Sequence, residues 1–556
     1  MLRQAVLLAS LCVVTAGPRA AEVSIRFTDV AVSLGLTLPA AAGSTAKDYL
    51  VDTTGNGVGF FDYDRDRDLD VLVATGSTLD RLRTGGDPMV RLFRNDGARF
   101  TDVTLATGLT RRGWGSGVCV ADYDNDGFDD VYVTAFTANV LWHNEGGRRF
   151  VATTQAADPR WSTGCAFGDF DRDGFVDLYV SNYVRHETGT TPSRTSGACR
   201  FLNIEVACGP RPLPGAPDRL YRNTGKGMFV DVTKQAGIAD PGAYGFAALF
   251  TDLDDDGWPD VYVANDSMAN LFFRNKRDGT FSEEALASGL AVTADAREQA
   301  GMGADVGDYD GDGRLDLVKT NFSQDYTSLY HNDGGGLFSD VSFRSGLAAT
   351  LGPYLGWGVG LVDLDNDGLL DLFIANGHIY PNIAATGTST FQQRNQVFRN
   401  AGRGRFEHVT SDVGGPLLVE KSYRGAAFGD YDDDGDIDVL VSVLDAGPVL
   451  LRNESARGAS GHWITLRLEG TASNRSAVGA KVTVEAGGRR QVAEVRSGGS
   501  YVSQNDLRVH IGLGAATSVE RVTIRWPNGK VETLSTPLAA DRFYVAREGA
   551  GIQPGK

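Results

Sequence analysis

The sequence predicts an all-β fold, a seven-bladed β-propeller followed by a small β-sandwich, and three repeated markers carry that expectation. An aspartate cluster of the form D-x-D-x-D-x-x-x-D, with Gly at its sixth position in six copies, occurs seven times, at spacings of 47 to 83 residues. A tetrapeptide such as "LFRN" ending at Asn95 or "VFRN" ending at Asn400 also occurs seven times. A third marker, as in "RFTDVT" ending at Thr104, follows each tetrapeptide except the last, which ends at Asn453; an orphan copy opens at Arg26 instead. This circular permutation is what a closed ring needs when its first strand completes its last blade, and closure removes the exposed sheet edges that invite aggregation.

In chain order, residues 1–21 come first, with one charge at Arg3 and an apolar run from Ala5 to Ala16. That run is too short to span a bilayer and reads as an export signal. From 24 to 456 each aspartate cluster is preceded by a glycine-rich apolar stretch such as "GCAFG". It is followed by a short β-branched or aromatic run such as "LYV". Each cluster is therefore a loop between two strands. Over 460–547 the aspartate pattern stops, and alternating Val482, Val484, Val492 and Val495 between glycine-rich turns predict the sandwich.

The 556 residues carry 71 acidic against 53 basic groups, a formal charge of −18. That excludes a nucleic-acid binder, which needs a basic footprint, and no later stretch is long and apolar enough to cross a membrane. The expected location is secreted, periplasmic or cell-surface. Of the cysteines beyond the leader, Cys199 and Cys208 are expected to pair; Cys119 and Cys165 are either bridged or two small buried residues.

Numbered from its first aspartate, every cluster has Asp at positions 1, 3, 5 and 9. The sets are Asp62, Asp64, Asp66, Asp70; Asp122, Asp124, Asp126, Asp130; Asp169, Asp171, Asp173, Asp177; and Asp252, Asp254, Asp256, Asp260. Then follow Asp308, Asp310, Asp312, Asp316; Asp363, Asp365, Asp367, Asp371; and Asp430, Asp432, Asp434, Asp438. Side chains at alternate positions of a tight turn converge, and hard oxygen ligands at this spacing suit Ca²⁺, with Mg²⁺ the second choice. An EF-hand would need an acid at position 12, where this chain has Val73, Val133, Val180, Val263, Lys319, Ile374 and Val441. A metal-free acidic turn is the alternative for any single loop, but seven phased copies of four crowded carboxylates favour a cation. Up to seven Ca²⁺ are expected, and they would cancel most of the formal charge. The first loop has Arg67 where the others have glycine, and its site is expected to be the weakest.

The segments "AFGDFDRDGFVDLYV" from Ala166 and "AFGDYDDDGDIDVLV" from Ala427 resemble the FG-GAP/VCBS-type repeats of integrin-α-like propellers. The segments "SNRSAVGAKV", "GLG" and "RWPNGK" resemble the ASPIC/UnbV domain, and the combination resembles the cartilage acidic protein family, bacterial-type members included. The resemblance implies that the metal loops are structural and that the role is binding rather than catalysis.

The long insertions, about 76–90, 182–217 and 376–396, follow the post-cluster strands and so gather on the face opposite the loops. Tyr183, Arg185, Arg200, His378 and Tyr380 are the ligand-face candidates there, for an extracellular glycan or protein. No catalytic residue is assigned, since neither H-E-x-x-H nor G-x-S-x-G occurs. A calcium-dependent hydrolase or lyase using His378 or His186, and a purely structural surface or matrix protein, are the alternatives to a recognition and adhesion module.

Overall fold

The computed structural model describes residues 24–38, 43–187, 189–239, 241–350, 352–455, 461–535 and 537–555. The expected leader lies outside the described residues. Seven four-stranded antiparallel sheets are the blades. Blade 1 runs Val58–Phe61, Asp70–Ala74, Val90–Asn95 and Phe100–Asp102, innermost strand first. Blade 7 runs Tyr423–Gly429, Asp438–Val443 and Val449–Asn453, and its outermost strand is Phe27–Asp29 from the start of the chain, with Phe27 opposite Asn453. The permuted markers are thus a strand exchanged across the closure of the ring.

Every aspartate loop links an innermost strand to the second strand of its blade, as in the pairing of Gly168 with Asp177. Between neighbouring blades the inward alternation of strand residues builds a separate apolar cluster. At the seam between blades 1 and 7, Val58, Phe60 and Val71 pack with Ala427, Leu440 and Leu450, all buried. The asparagine that ends each tetrapeptide adds a polar stitch. Its side-chain amide donates to the carbonyl at loop position 2 of the preceding blade, at 2.8–2.9 Å: Asn95 to Tyr431, Asn144 to Tyr63, Asn223 to Tyr123, Asn275 to Phe170, Asn332 to Leu253, Asn400 to Tyr309 and Asn453 to Leu364. The stitch from Asn95 to Tyr431 closes the ring. Substituting Asn275→Ala leaves the buried carbonyl of Phe170 and the partly buried one of Pro259 without this donor. The expected loss is about 1–3 kcal/mol, read by denaturant unfolding.

Cys119 and Cys165, on the innermost strands of blades 2 and 3, form a disulfide with Cα atoms 6.0 Å apart, and Cys199 pairs with Cys208. Beyond the ring, two four-stranded sheets face each other around Ile464, Leu466, Val482, Val484, Ile511, Val522 and Ile524. One of them contains a parallel pair, His462–Glu469 with Arg542–Arg547. This sandwich sits on the aspartate-loop face of the ring, and it does not stop at the surface.

The segment 497–505, "SGGSYVSQN", runs from the sandwich down the central channel and touches all seven blades. Val118 donates to Val502 O (3.1 Å), Ala304 to Ser500 O (2.9 Å), Phe60 to Gln504 O (3.1 Å) and Val359 to Ser500 Oγ (2.9 Å). Phe428 donates to Asn505 Oδ1 (3.2 Å). Gly498 and Gly499 lie against Cys165 and Leu249. These contacts satisfy channel-facing backbone groups that an inner sheet edge leaves unpaired. They also account for part of the glycine bias of the innermost strands. A Cβ on Gly57 would overlap Val502 O, and one on Gly425 would come within 2.5 Å of Ser503 Oγ.

Candidate metal centres and ligand face

Each loop is held in shape by its own aspartates. The carboxylate at position 1 accepts the backbone N–H of position 6 in all seven copies, at 2.7–3.2 Å. The one at position 5 accepts from position 7, at 2.8–3.1 Å. Position 9 is a clasp: one oxygen accepts the N–H of position 2, the other the N–H of the tetrapeptide asparagine. Except at Asp130 Oδ1, which also meets His143 Nδ1 (3.2 Å), each oxygen keeps a second lone pair, so the clasp leaves capacity for a cation.

The result is a converging set of oxygens. In each of the sets Asp62, Asp64, Asp66; Asp122, Asp124, Asp126; and Asp169, Asp171, Asp177, ligand atoms lie within 4.8 Å of one another. Burial, and then the neighbouring like charges, push the Asp122 carboxyl up to about 8 and Asp316 likewise to about 8. Burial raises Asp169 to about 7 and Asp62 and Asp308 to about 6. Four buried oxygens, Asp62 Oδ1, Asp171 Oδ1, Asp252 Oδ1 and Asp365 Oδ1, have no hydrogen-bond donor. Crowded carboxylates with orphaned oxygens fit a hard divalent cation, which would accept six to eight such ligands.

Basic side chains stand around the loops. The third residue of the tetrapeptide reaches the loop of its own blade: Arg222 to Asp171 (2.5 Å) and Asp173 (3.1 Å), Arg274 to Asp254 (2.5 Å), His143 to Asp130 (3.2 Å) and His331 to Asp310 (3.2 Å). From the sandwich, Arg467 approaches Asp62 (3.4 Å), Arg508 pairs with Asp433 (3.0 Å), and Arg525 pairs with Asp252.

Position 6 has positive φ in every loop, 82° at Arg67 and 85–103° at the six glycines. Position 4 does too, from 54° at Asp433 to 78° at Gly311. Left-handed backbone costs a side-chain-bearing residue about 1–2 kcal/mol. Arg67→Gly is therefore expected to stabilise the first loop by about 1 kcal/mol. In a calcium titration it should tighten the weakest class of sites; an unchanged weakest class would refute the strain argument.

On the opposite face the structure corrects part of the expectation. Arg185 and Arg200 are exposed, but Tyr183 and His378 are fully buried and Tyr380 nearly so. The insertions fold back across the channel mouth because their aromatic residues have a core to join, containing Trp114, Trp161, Phe246 and Trp357. Asn382 bonds Glu205 O (2.9 Å), tying the 376–396 and 182–217 insertions together. Tyr183 stacks on Phe246 and donates to Asp266 (2.6 Å). His378 Nε2 meets Ser323 Oγ (3.1 Å), and its Nδ1 accepts from the Tyr380 N–H (3.1 Å). Burial, with the Arg424 charge, pushes the His378 imidazole down to about 3. His186 is half-buried between Tyr49 and Phe136, with neither ring nitrogen hydrogen-bonded.

What these insertions enclose is a cavity of about 350 Å³ at the channel mouth, lined by Tyr183, Phe201, Phe246, Phe322, Trp357 and Tyr380. Asp266, Arg211, Glu298 and Asp325 supply its charged groups. Of the five candidates, the structure brings Tyr183 and Tyr380 into this cavity and leaves Arg185, Arg200 and His378 outside its wall.

A ring of aspartate loops with stitched blades defines a propeller of FG-GAP-like repeats, and the model of that family matches residues 62–133, 122–180, 252–319 and 377–441. The ASPIC and UnbV family matches residues 470–553. The chain carries FG-GAP-like repeats followed by an ASPIC and UnbV domain. Among curated proteins it is 28% identical over 287 residues to cartilage acidic protein 1 of Xenopus tropicalis, covering 50% of this chain and 40% of that protein. To the Mus musculus protein of the same name it is 27% identical over 285 residues, covering 50% and 41%. The match thus spans about two fifths of the length of these relatives. Solved structures with a similar fold include an Agrocybe aegerita protein that recognises non-reducing terminal N-acetylglucosamine, at 15% identity and TM-score 0.39 over 70% of this chain and 86% of that one. A streptogramin B lyase aligns at 9% identity and TM-score 0.41, over 77% and 98%.

Proposed function

We propose that the protein is an exported, calcium-loaded recognition and adhesion module whose partner is an extracellular glycan or protein. In this reading the leader occupies 1–21, the ring 24–456 and the sandwich 460–547. The 28 loop aspartates hold up to seven Ca²⁺ that brace the blades, with the first site the weakest. The observation that carries the reading is the division of faces. The sandwich covers the loop face and fills the channel, while the opposite mouth keeps an aromatic cavity built from insertions. Two disulfides favour an oxidising compartment. No helix among the described residues is long and apolar enough to cross a membrane.

The test is binding to a glycan array and to immobilised matrix proteins, with Ca²⁺ and after chelation, using the full chain and variants on the two faces. Tyr380→Ala and Arg200→Ala should weaken capture of whatever partner emerges, and Arg489→Ala, on the sandwich side, should not. Capture indifferent to the first two and abolished by the third would move the binding surface to the sandwich.

A further inference from the structure

The cavity at the channel mouth is aromatic on its walls and acidic in its charge. Its six rings form two groups in mutual contact. Phe201, Phe322 and Tyr380 have centroids 5.5–6.1 Å apart. Tyr183 lies 4.3 Å from Phe246, which lies 6.1 Å from Trp357. Ring faces carry negative quadrupole and attract cations, by about 0.5–2 kcal/mol or more when desolvated.

Among these rings sits Asp266, only 6% exposed. One of its oxygens accepts from Tyr183 Oη (2.6 Å) and the other from Ser267 Oγ (2.9 Å), so each keeps one acceptor site. Asp325 is the second carboxylate of the wall. The cations nearby are already engaged. Arg211, 67% exposed, donates to Ser267 O (2.9 Å) and meets Glu298 (3.5 Å). Lys319 is buried behind the wall and donates to Gln299 Oε1 (3.4 Å). Arg211 meets Glu298 and its charge also acts on Asp266, and Lys319 is set against Asp325, so three wall carboxylates share one wall arginine. Burial raises the Asp266 carboxyl to about 6.

We propose that this cavity takes an organic cation with N–H donors, the guanidinium or ammonium end of an arginine or lysine side chain presented by a protein partner. Such a group would donate to Asp266 and Asp325 while its stem packs on the rings. About 350 Å³ has room for such a side chain, and the buried Asp266 among the rings favours a cation over a neutral sugar. The inference rests on the reading of this face as the ligand face, and it selects protein over glycan.

The calcium-loaded full chain would be titrated calorimetrically with Nα-acetyl-arginine amide, Nα-acetyl-lysine amide, the neutral isostere Nα-acetyl-citrulline amide, and N-acetylglucosamine. The expected result is binding of the two cations at least tenfold tighter than citrulline, lost tenfold or more in Asp266→Asn and Asp325→Asn. Both variants should keep the wild-type melting temperature within a few degrees. Citrulline binding as tightly as arginine would overturn the proposal. So would N-acetylglucosamine binding where the cations do not, which would leave the ligand-face reading standing with a sugar in the cavity. Absence of binding by every probe, together with partner capture insensitive to Tyr380→Ala, would overturn both readings.

Discussion

Chelation of Ca²⁺ is expected to lower the melting temperature by 10 °C or more at pH 8 and by little near pH 5. At a free cation concentration 100-fold above Kd, each site contributes about 2.7 kcal/mol. Losing two of the expected sites, about 5.4 kcal/mol, would reach the low end of the ~5–15 kcal/mol stability of a typical domain. The pH dependence follows from the loop carboxyls. In the cation-free fold Asp122 and Asp316 titrate near 8, Asp169 near 7 and Asp62 near 6, against about 3.9 in the unfolded chain. The cation-free fold therefore holds more protons than the unfolded chain between about pH 4 and 8. Its stability is present at the acid end of that window and falls as pH rises through it. A calcium-loaded fold would have those carboxylates ionised, so protons would compete with the cation and the loaded protein would gain as pH rises. The two melting curves should converge near pH 5 and separate towards pH 8. A chelator effect independent of pH would mean that the loop carboxylates are not the ligands.

That expectation was legible in the sequence because it rests on short-range pattern. Positions 1, 3, 5 and 9 lie within nine residues, and the missing third marker after Asn453 paired with the orphan at Arg26 fixed the closure of the ring. What was not legible involves residues far apart in the chain. The tetrapeptide asparagine marks the repeat without showing its partner, and Asn332 bonds the carbonyl of Leu253, 79 residues away. Cys119 and Cys165 stayed open because only the approach of adjacent innermost strands decides them. Tyr183 and His378 sit in long insertions, which normally lie on the surface; here enough aromatic residues converge to make a core of their own. The segment 497–505 has no pattern of its own, and its small residues made sense only against the glycines of the innermost strands.

That channel segment carries the second large effect. Tyr501→Ala is expected to cost about 3–5 kcal/mol, the range for truncating a fully buried aromatic residue. The ring of Tyr501 is 1% exposed, 4.7 Å from Trp357 and 5.5 Å from Phe246, and its hydroxyl donates to Thr54 O (3.0 Å). Relaxation into the space it leaves is restricted, because seven stitched blades fix the width of the channel. Gln504→Ala removes a different support. Its Oε1 accepts the N–H groups of Val120 (2.9 Å) and Gly498 (2.9 Å), so about 1–3 kcal/mol is lost for each buried donor left unpaired. Sandwich and ring share one apolar cluster, in which Phe167 and Leu178 of blade 3 join Ile464 and Val482. Both variants should therefore shift a single cooperative calorimetric transition downward. If the sandwich were an independent unit resting on the ring, Tyr501→Ala would instead split the transition and leave the calcium-dependent part where it was. The cavity supplies a second readout, since Trp357 and Phe246 form its wall with Tyr501 packed against both. Removing that packing should weaken ligand capture at the far mouth even at temperatures where the ring remains folded.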